Sequence, residues 1–255
     1  MMAALTLPRK RLQQNGYLNH LYSKYIIFQQ LGSNFAFGSP DRFIYLNDSS
    51  MVFRQIRNTP TGAYSYVLGD SNNRVGIAVD PSEESLDVLL ALIGDLGLDL
   101  HLILLTDAHP AARKSAVSLR SRTGAAVIVG PDCKHPDTDL QVAHGACLAF
   151  GDEVVHVIGT PGYTRCSVCY RWRDKLFTGA TLLIGNCAST GVPCEDPGVL
   201  FDSVTTRLFT LPPETLVYPG RDASGRTVST ILEEKALNPC FSNRSRDFFV
   251  KLMSA

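Results

Sequence analysis

The stretch from Leu102 to Ala112 constrains the fold of this chain more than any other part of its sequence. An apolar run from Leu102 to Leu105 is followed by a polar loop that contains Thr106, Asp107 and His109. A short apolar run bounded by turn residues predicts a buried parallel strand. In an open α/β sheet, functional groups lie at the carboxyl ends of the strands. We therefore expect a functional site at this loop.

The segments on either side predict further strands and helices. Three strands precede the loop, at residues 51–56, 64–69 and 75–79, and Ser82 begins a helix that Gly97 ends. After the loop we expect strands at 126–129, 154–158, 166–172, 176–179 and 215–218, with helices at 112–122, 199–209, 228–237 and 245–253. Two successive halves, each rich in strands and then helical, predict two packed sheets with helices outside.

The composition is that of a globular protein with a buried core. A chain of 255 residues with 45% apolar residues is long enough for one large domain. The formal net charge of +0 gives no overall attraction to nucleic acid or to anionic membranes. No apolar run approaches the ~20 residues that span a bilayer. Seven cysteines without framework spacing favour free thiols in a reducing compartment.

The N-terminal part differs from the rest of the chain. Residues 1–40 contain no acidic residue, and we expect a short helix near residues 17–30. The basic residues of this part are Arg9, Lys10, Arg11 and Lys24. Such a composition is typical of an organellar targeting segment, and also of an extension that lies on a surface. We assign residues 1–50 to an N-terminal extension for targeting or partner docking, and residues 51–255 to the folded domain.

Several motifs resemble, in order, those of the metallo-β-lactamase fold superfamily. Within it they are most similar to the persulfide dioxygenase (ethylmalonic encephalopathy protein-like) branch, next to glyoxalase II. The segments that carry the resemblance are 64–70, 79–81, 105–109, 160–164, 177–180, 211–212, 218–222, 227–230, 233–234 and 237–239. The resemblance covers roughly residues 51–253. It implies an α/β four-layer αβ/βα sandwich, here with an N-terminal extension.

The resemblance also implies a metal site at the opening loop. In the superfamily this loop reads Thr-His-x-His-x-Asp-His, and its imidazole and carboxylate groups converge on a cation that keeps a position open for substrate. The dioxygenase branch implies a single iron held by two His and one Asp, which is the ligand set of non-haem iron enzymes.

This chain departs from the superfamily at nearly every ligand position. The corresponding residues are Asp107, His109, Ala111, Ala112, Tyr163, Ala180 and Arg221. The three iron positions of the branch carry Asp107, Tyr163 and Ala180, and a phenol ionises only near pH ~10. Because Arg221 brings a positive charge that repels a metal, we expect it to form an ion pair with Asp107. His109, the one remaining motif His, is interpreted as a local hydrogen-bonding residue.

These departures predict a pseudoenzyme without a cofactor, whereas the ancestral branch uses iron. We expect a structural or interaction subunit of a larger assembly in the mitochondrial matrix, with the N-terminal extension contacting protein partners; the other possible location is the cytoplasm. The alternative is residual sulfur dioxygenase activity on glutathione persulfide, or thioester hydrolase activity, through a non-standard site.

The cysteines and the basic residues leave further interpretations open. Cys187 occupies the position of a cysteine in the family, without the accompanying Arg and Asp, so glutathione binding stays open. Cys187 and Cys194 could pair with each other or meet a third thiol. Cys166 and Cys169 are predicted to be separate buried thiols on a strand. RNA contact within a complex stays possible through the cations Arg113, Lys114, Arg120, Arg122, Arg165, Arg171, Arg173 and Lys175.

Overall fold

A computed structural model describes residues 25–29, 50–133, 136–187 and 194–253 of the chain. Seven strands form the first sheet in the order of the chain. Strands β1 to β4 pair antiparallel, and β4 to β7 pair parallel. The strands are β1 (Tyr25–Gln29), β2 (Met51–Asn58), β3 (Tyr64–Asp70), β4 (Val75–Val79), β5 (Asp99–Leu104), β6 (Ala126–Val129) and β7 (Leu140–Gln141).

Six strands form the second sheet, in the spatial order β13, β12, β11, β10, β9, β8. Only β11 and β12 pair parallel in this sheet, and the remaining neighbours are antiparallel. The strands are β8 (Cys147–Phe150), β9 (Glu153–Gly159), β10 (Val168–Trp172), β11 (Lys175–Gly179), β12 (Leu216–Pro219) and β13 (Ser229–Thr230).

Local signals in the sequence set the ends of the helices. Ser82 and Ser85 form a capping box before the 3₁₀ turn Glu83–Ser85. Gly124 ends the second helix with φ +78°, a conformation that glycine adopts without strain. The helices are α1 (Leu86–Asp95), α2 (Pro110–Thr123), α3 (Pro197–Ser203), which continues into the π turn Val204–Leu208, α4 (Ile231–Leu237) and α5 (Arg246–Met253).

Three apolar layers hold the sheets and helices together. Phe53, Tyr66, Phe177 and Tyr218 lie between the two sheets, where their rings contact one another. A second layer packs α1 and α2 against the outer face of the first sheet. A third packs α3 and α5 against the outer face of the second sheet. The result is the four-layer αβ/βα sandwich that the sequence predicts. In the described ranges, no helix is long and apolar enough to cross a membrane.

The structure corrects two local predictions. A helix near residues 17–30 is wrong for residues 25–29, which form β1 and pair with the free edge of β2; the rest of that prediction lies outside the described residues. The segment Tyr-Ile-Ile-Phe is β-branched and aromatic, a composition that favours a strand. Residues 228–230 are also not helical, because β13 pairs with β12 before α4 begins.

The aromatic layer between the sheets gives a stability prediction. Phe177 is fully buried, with its ring centroid 4.8 Å from that of Tyr66. Phe177→Ala should lower the free energy of unfolding by about 3–5 kcal/mol, measured by urea denaturation. Phe248 is 40% exposed, so Phe248→Ala serves as a matched control and should cost less than about 1 kcal/mol. Equal losses in the two variants would contradict this account of the core.

Candidate functional site

The loop that follows β5 is held by a pair of side-chain hydrogen bonds. The Asp80 carboxylate accepts a bond from the Thr106 backbone N at 2.8 Å and another from Thr106 Oγ1 at 2.7 Å. Asp80 follows β4 with φ +47°, a left-handed conformation that Asp adopts more readily than most residues. Thr106 O in turn accepts a bond from Val168 N of β10 at 2.8 Å. The loop is therefore fixed to both sheets.

Two glycines bring the ends of β11 and β12 against the same loop. Gly179 has φ +54°, and a Cβ at this position would lie 2.1 Å from Thr106 Oγ1. Gly220 N donates to Gly179 O at 2.8 Å. Because a side chain at Gly179 would displace Thr106, glycine is required there. The strand-end loops that carry metal ligands in the superfamily thus still converge in this chain.

Asp107 and His109 satisfy backbone groups of their own loop. Asp107 Oδ1 accepts a hydrogen bond from His109 N at 2.9 Å. His109 is the N-cap of α2, where its Nδ1 accepts a long bond from Ala111 N at 3.4 Å, and Pro110 follows as the first helical residue. The His109 side chain is exposed. It therefore has the local role expected from the sequence.

Three of the ligand positions carry only a methyl group. Ala111 is exposed at the start of α2. Ala112 is half-buried and packs against the apolar layer between the first sheet and its helices. Ala180 is half-buried and follows Gly179 directly. None of these side chains can donate an electron pair to a metal.

Tyr163 lies within electrostatic range of both Asp107 and Arg221. Its half-buried ring packs against the layer that contains α3 and α5. Burial raises the pKa of the Tyr163 phenol, the Asp107 carboxylate raises it further, and the Arg221 guanidinium lowers it. The Tyr163 phenol therefore lies near both Asp107 and Arg221.

The expected ion pair between Arg221 and Asp107 is wrong. In the part of the chain that the structure describes, no ion pair joins these two residues. Arg221 is exposed, and its backbone forms a bridge with Ala63 that fixes the segment. The Asp107 carboxylate instead bonds within its own loop. A hydrogen bond to the neighbouring backbone costs less side-chain entropy than ordering a long exposed Arg.

Burial and the Asp107 carboxylate both raise the pKa of the Asp80 carboxyl. Burial raises the pKa of Asp80 to about 7, with a further contribution from the Asp107 carboxylate, against the two bonds from Thr106. Burial also raises the pKa of Asp107, whereas the bond from His109 N lowers it. Burial and a neighbouring acidic group both favour the protonated form of a carboxyl group.

The side chains at this place do not fit an iron site. Non-haem iron needs two imidazoles and a carboxylate on one face of the metal. The corresponding residues here offer one carboxylate, one phenol with a raised pKa and one methyl group. Among the described residues, moreover, no three His, Cys, Asp or Glu side chains are grouped so that they could hold a metal ion.

The cysteines are arranged differently from a redox motif. Cys166 packs towards the helices of the first sheet, and Cys169 lies in the layer behind the second sheet. Burial raises the pKa of the Cys169 thiol to about 12. The two are separate thiols, as expected from the sequence, but Cys166 is half-buried and precedes β10, so the prediction of a buried strand residue is wrong for Cys166. Cys187 Sγ lies 2.8 Å from the sulfur of Cys240, a neighbour that no motif had indicated.

Many of the basic residues are paired with carboxylates. Arg120 bonds to Asp139, and Arg122 to Asp87, each at 2.8 Å. Arg165, Arg173 and Lys175 also have acidic partners. This local neutralisation weakens the basic surface that an RNA contact would need.

An open cavity of about 400 Å³ lies apart from the loop after β5. None of the seven ligand positions lines it. Its charged and titratable side chains are those of His144, His156, Arg171 and Arg207. The cavity therefore does not mark the ancestral metal position.

Comparisons with known proteins support the fold and identify the family. The persulfide dioxygenase ETHE1 of Mus musculus, a mitochondrial protein, is 32% identical over 205 residues, which is 80% of each chain. The crystal structure of ETHE1 from Myxococcus xanthus superposes with a TM-score of 0.74 at 38% identity and covers 80% of this chain and 90% of that one. A Staphylococcus aureus metallo-β-lactamase, 19% identical with a TM-score of 0.71, covers 80% of this chain and 66% of that chain and supports the fold. A hydroxyacylglutathione hydrolase of Chelativorans sp. is 28% identical and is matched over 72% of this chain and 71% of its own length. No family model matches the chain.

The carboxyl pair gives a prediction on pH dependence. Because the folded pKa of Asp80 lies near 7, above its unfolded value of 3.8, the native state binds the extra proton between these values. The contribution of the protonated Asp80 carboxyl to the free energy of unfolding should be fully present below about pH 4. It should be lost as the pH rises through about 7. Carbon-detected NMR titration of Asp80 should give a midpoint near 7, and Asp107→Asn should lower that midpoint. Asp70 serves as the control, because hydrogen bonds from Asp152 and Asn73 lower its pKa. An Asp80 midpoint below about 5 would contradict the account.

Proposed function

We propose that this chain, which belongs to the persulfide dioxygenase family of the metallo-β-lactamase fold superfamily, keeps the family scaffold without its metal-dependent reaction. The observation that carries the proposal is the set of side chains at the converging strand ends. Asp107, Tyr163 and Ala180 stand where the branch places two His and one Asp. Each of the first two has another role, Asp107 in its loop and Tyr163 in apolar packing. The relatives are named as enzymes, so the proposal concerns a change within an enzyme family.

The role we propose instead is that of a structural or interaction subunit in a larger mitochondrial assembly. The mitochondrial names of the mammalian relatives support the compartment. The acid-poor composition of residues 1–40 supports either import or a docking role for the extension. A fold that needs no metal to hold its strand ends together can be retained for its surface alone.

The second candidate is a hydrolytic or dioxygenase activity through a non-standard site. The observation in its favour is Asp80, whose pKa near 7 suits a general acid or base at neutral pH. Against it, both oxygens of that carboxylate are engaged by Thr106. Moving a proton through Asp80 would therefore disturb the bonds that hold the loop. We favour the subunit role for this reason.

The proposal predicts the outcome of restoring the ancestral ligands. The native chain, reconstituted anaerobically with ferrous iron and desalted, should retain less than about 0.1 iron per chain by elemental analysis. The triple variant Asp107→His, Tyr163→His and Ala180→Asp should retain close to one iron, because the strand ends still converge. Stoichiometric iron in the native chain would contradict the proposal.

Activity is measured on the same two proteins. Oxygen consumption with glutathione persulfide should not exceed the heat-denatured blank for the native chain. The variant Phe248→Ala, far from the strand ends in the sequence and exposed, controls for nonspecific effects of substitution. Turnover by the native chain above the blank would support the second candidate. Isothermal calorimetry with glutathione measures binding directly. Heat of binding without oxygen consumption would show that the chain binds glutathione without turning it over.

The subunit role predicts a dependence on the N-terminal part. A variant without residues 1–24, supplied with a foreign mitochondrial presequence, should leave the large complex in native gels of mitochondrial extracts and migrate as the free chain. Residues 25–29 are kept because β1 belongs to the first sheet. The full chain with the same presequence is the control. Equal migration of both proteins as free chains would contradict membership of an assembly.

A further inference from the structure

We propose that Cys187 and Cys240 form an oxidisable thiol pair that closes to a disulfide and fastens the C-terminal helices to the loop after β11. The two sulfurs are 2.8 Å apart and the residues are 53 positions apart in the chain. This separation is shorter than ordinary contact between sulfur atoms and approaches the ~2.05 Å of a disulfide bond. The proposal is independent of the function assigned above.

A polar network independent of the sulfurs holds the two segments in register. The buried Asn238 side chain donates from Nδ2 to Asn186 O at 2.9 Å. The buried Glu234 carboxylate accepts from Gly185 N at 2.9 Å and from Asn238 Nδ2 at 2.7 Å. Asn238 Oδ1 also accepts from Cys240 N at 3.0 Å. The thiols are therefore positioned by fixed backbone on both sides.

Cys133 also interacts with Cys166, but the short sulfur–sulfur distance belongs to Cys187 and Cys240. The Cys194 thiol donates to Gly162 O at 3.0 Å rather than to Cys187. Met253 of α5 places its sulfur 3.5 Å from Cys187 Sγ, so the pair lies against the last helix. Hydrogen bonding from Cys187 lowers the pKa of Cys240, which favours its thiolate as the first group to react.

The oxidant must be small, because the residues are only 2% and 4% exposed. A peroxide meets this requirement. The Cys240 thiolate attacks one peroxide oxygen, the O–O bond breaks, and a sulfenic acid and hydroxide form. The Cys187 sulfur then attacks the Cys240 sulfur, the S–S bond forms and the S–O bond breaks. The two thiols lose two electrons to one hydrogen peroxide, and their protons end in two molecules of water.

The test uses the full chain, reduced and then treated with hydrogen peroxide. Remaining thiols are alkylated under denaturing conditions, and disulfide-linked peptides are identified by mass spectrometry. The expected product is a Cys187–Cys240 linkage, with a melting temperature about 5 °C or more above that of the reduced chain, because the bond closes a long loop. Dithiothreitol should reverse both changes.

Three variants give the matched comparison. Cys187→Ser and Cys240→Ser should each lose the linkage and the thermal shift. Cys169→Ser removes a buried thiol that contacts Thr160 Oγ1 rather than a sulfur, and it should keep both. Alkylation of Cys187 and Cys240 in the peroxide-treated native chain, or linkage of either to another cysteine, would overturn the proposal. The mass-spectrometric result on the peroxide-treated native chain tests the proposal even if a variant fails to fold.

Discussion

The hydrogen bonds between the Asp80 carboxylate and Thr106 are the contact on which the site region depends. They join the end of β4 to the loop after β5, and Thr106 O extends the connection to β10 in the second sheet. Gly179 lies so close to Thr106 that its missing side chain is part of the same junction. The junction uses carboxylate, hydroxyl and backbone groups only, so its geometry needs no metal. This junction is consistent with the proposal that the strand-end loops converge in this chain without bound metal.

Under the proposed function, the positions that the family resemblance assigns to metal ligands have other roles in the structure. His109 caps α2, Ala112 packs against the core and Tyr163 packs beneath α3 and α5. Each of these contacts involves a different part of the structure. Restoring a metal site would therefore require several substitutions at once. Burial of Asp80, with a smaller contribution from the Asp107 carboxylate, raises the pKa of Asp80 and is an energetic cost of this arrangement.

The sequence predicts the fold well because its apolar runs and turn residues are strong local signals. Local sequence signals predict the strand β5, the helix cap at Ser82 and the end of α2 at Gly124. Predictions that depend on distant contacts are weaker. β1 exists by pairing with β2, and the Arg221 side chain had no local feature to tell whether it would reach Asp107. Cys240 is missed for the same reason, since its neighbour is 53 residues away.

The central claim is that the converging strand ends of this chain no longer form a metal site. Its most direct test is a crystal of the full chain grown anaerobically with excess ferrous iron, with an anomalous difference map collected at the iron edge. The account predicts no anomalous peak within about 2.5 Å of the Asp107 carboxylate or the Tyr163 hydroxyl. This limit is slightly longer than usual metal–ligand distances. An iron peak at bonding distance from both groups would contradict the account. It would indicate that this chain binds metal as the metal-dependent members of its family do.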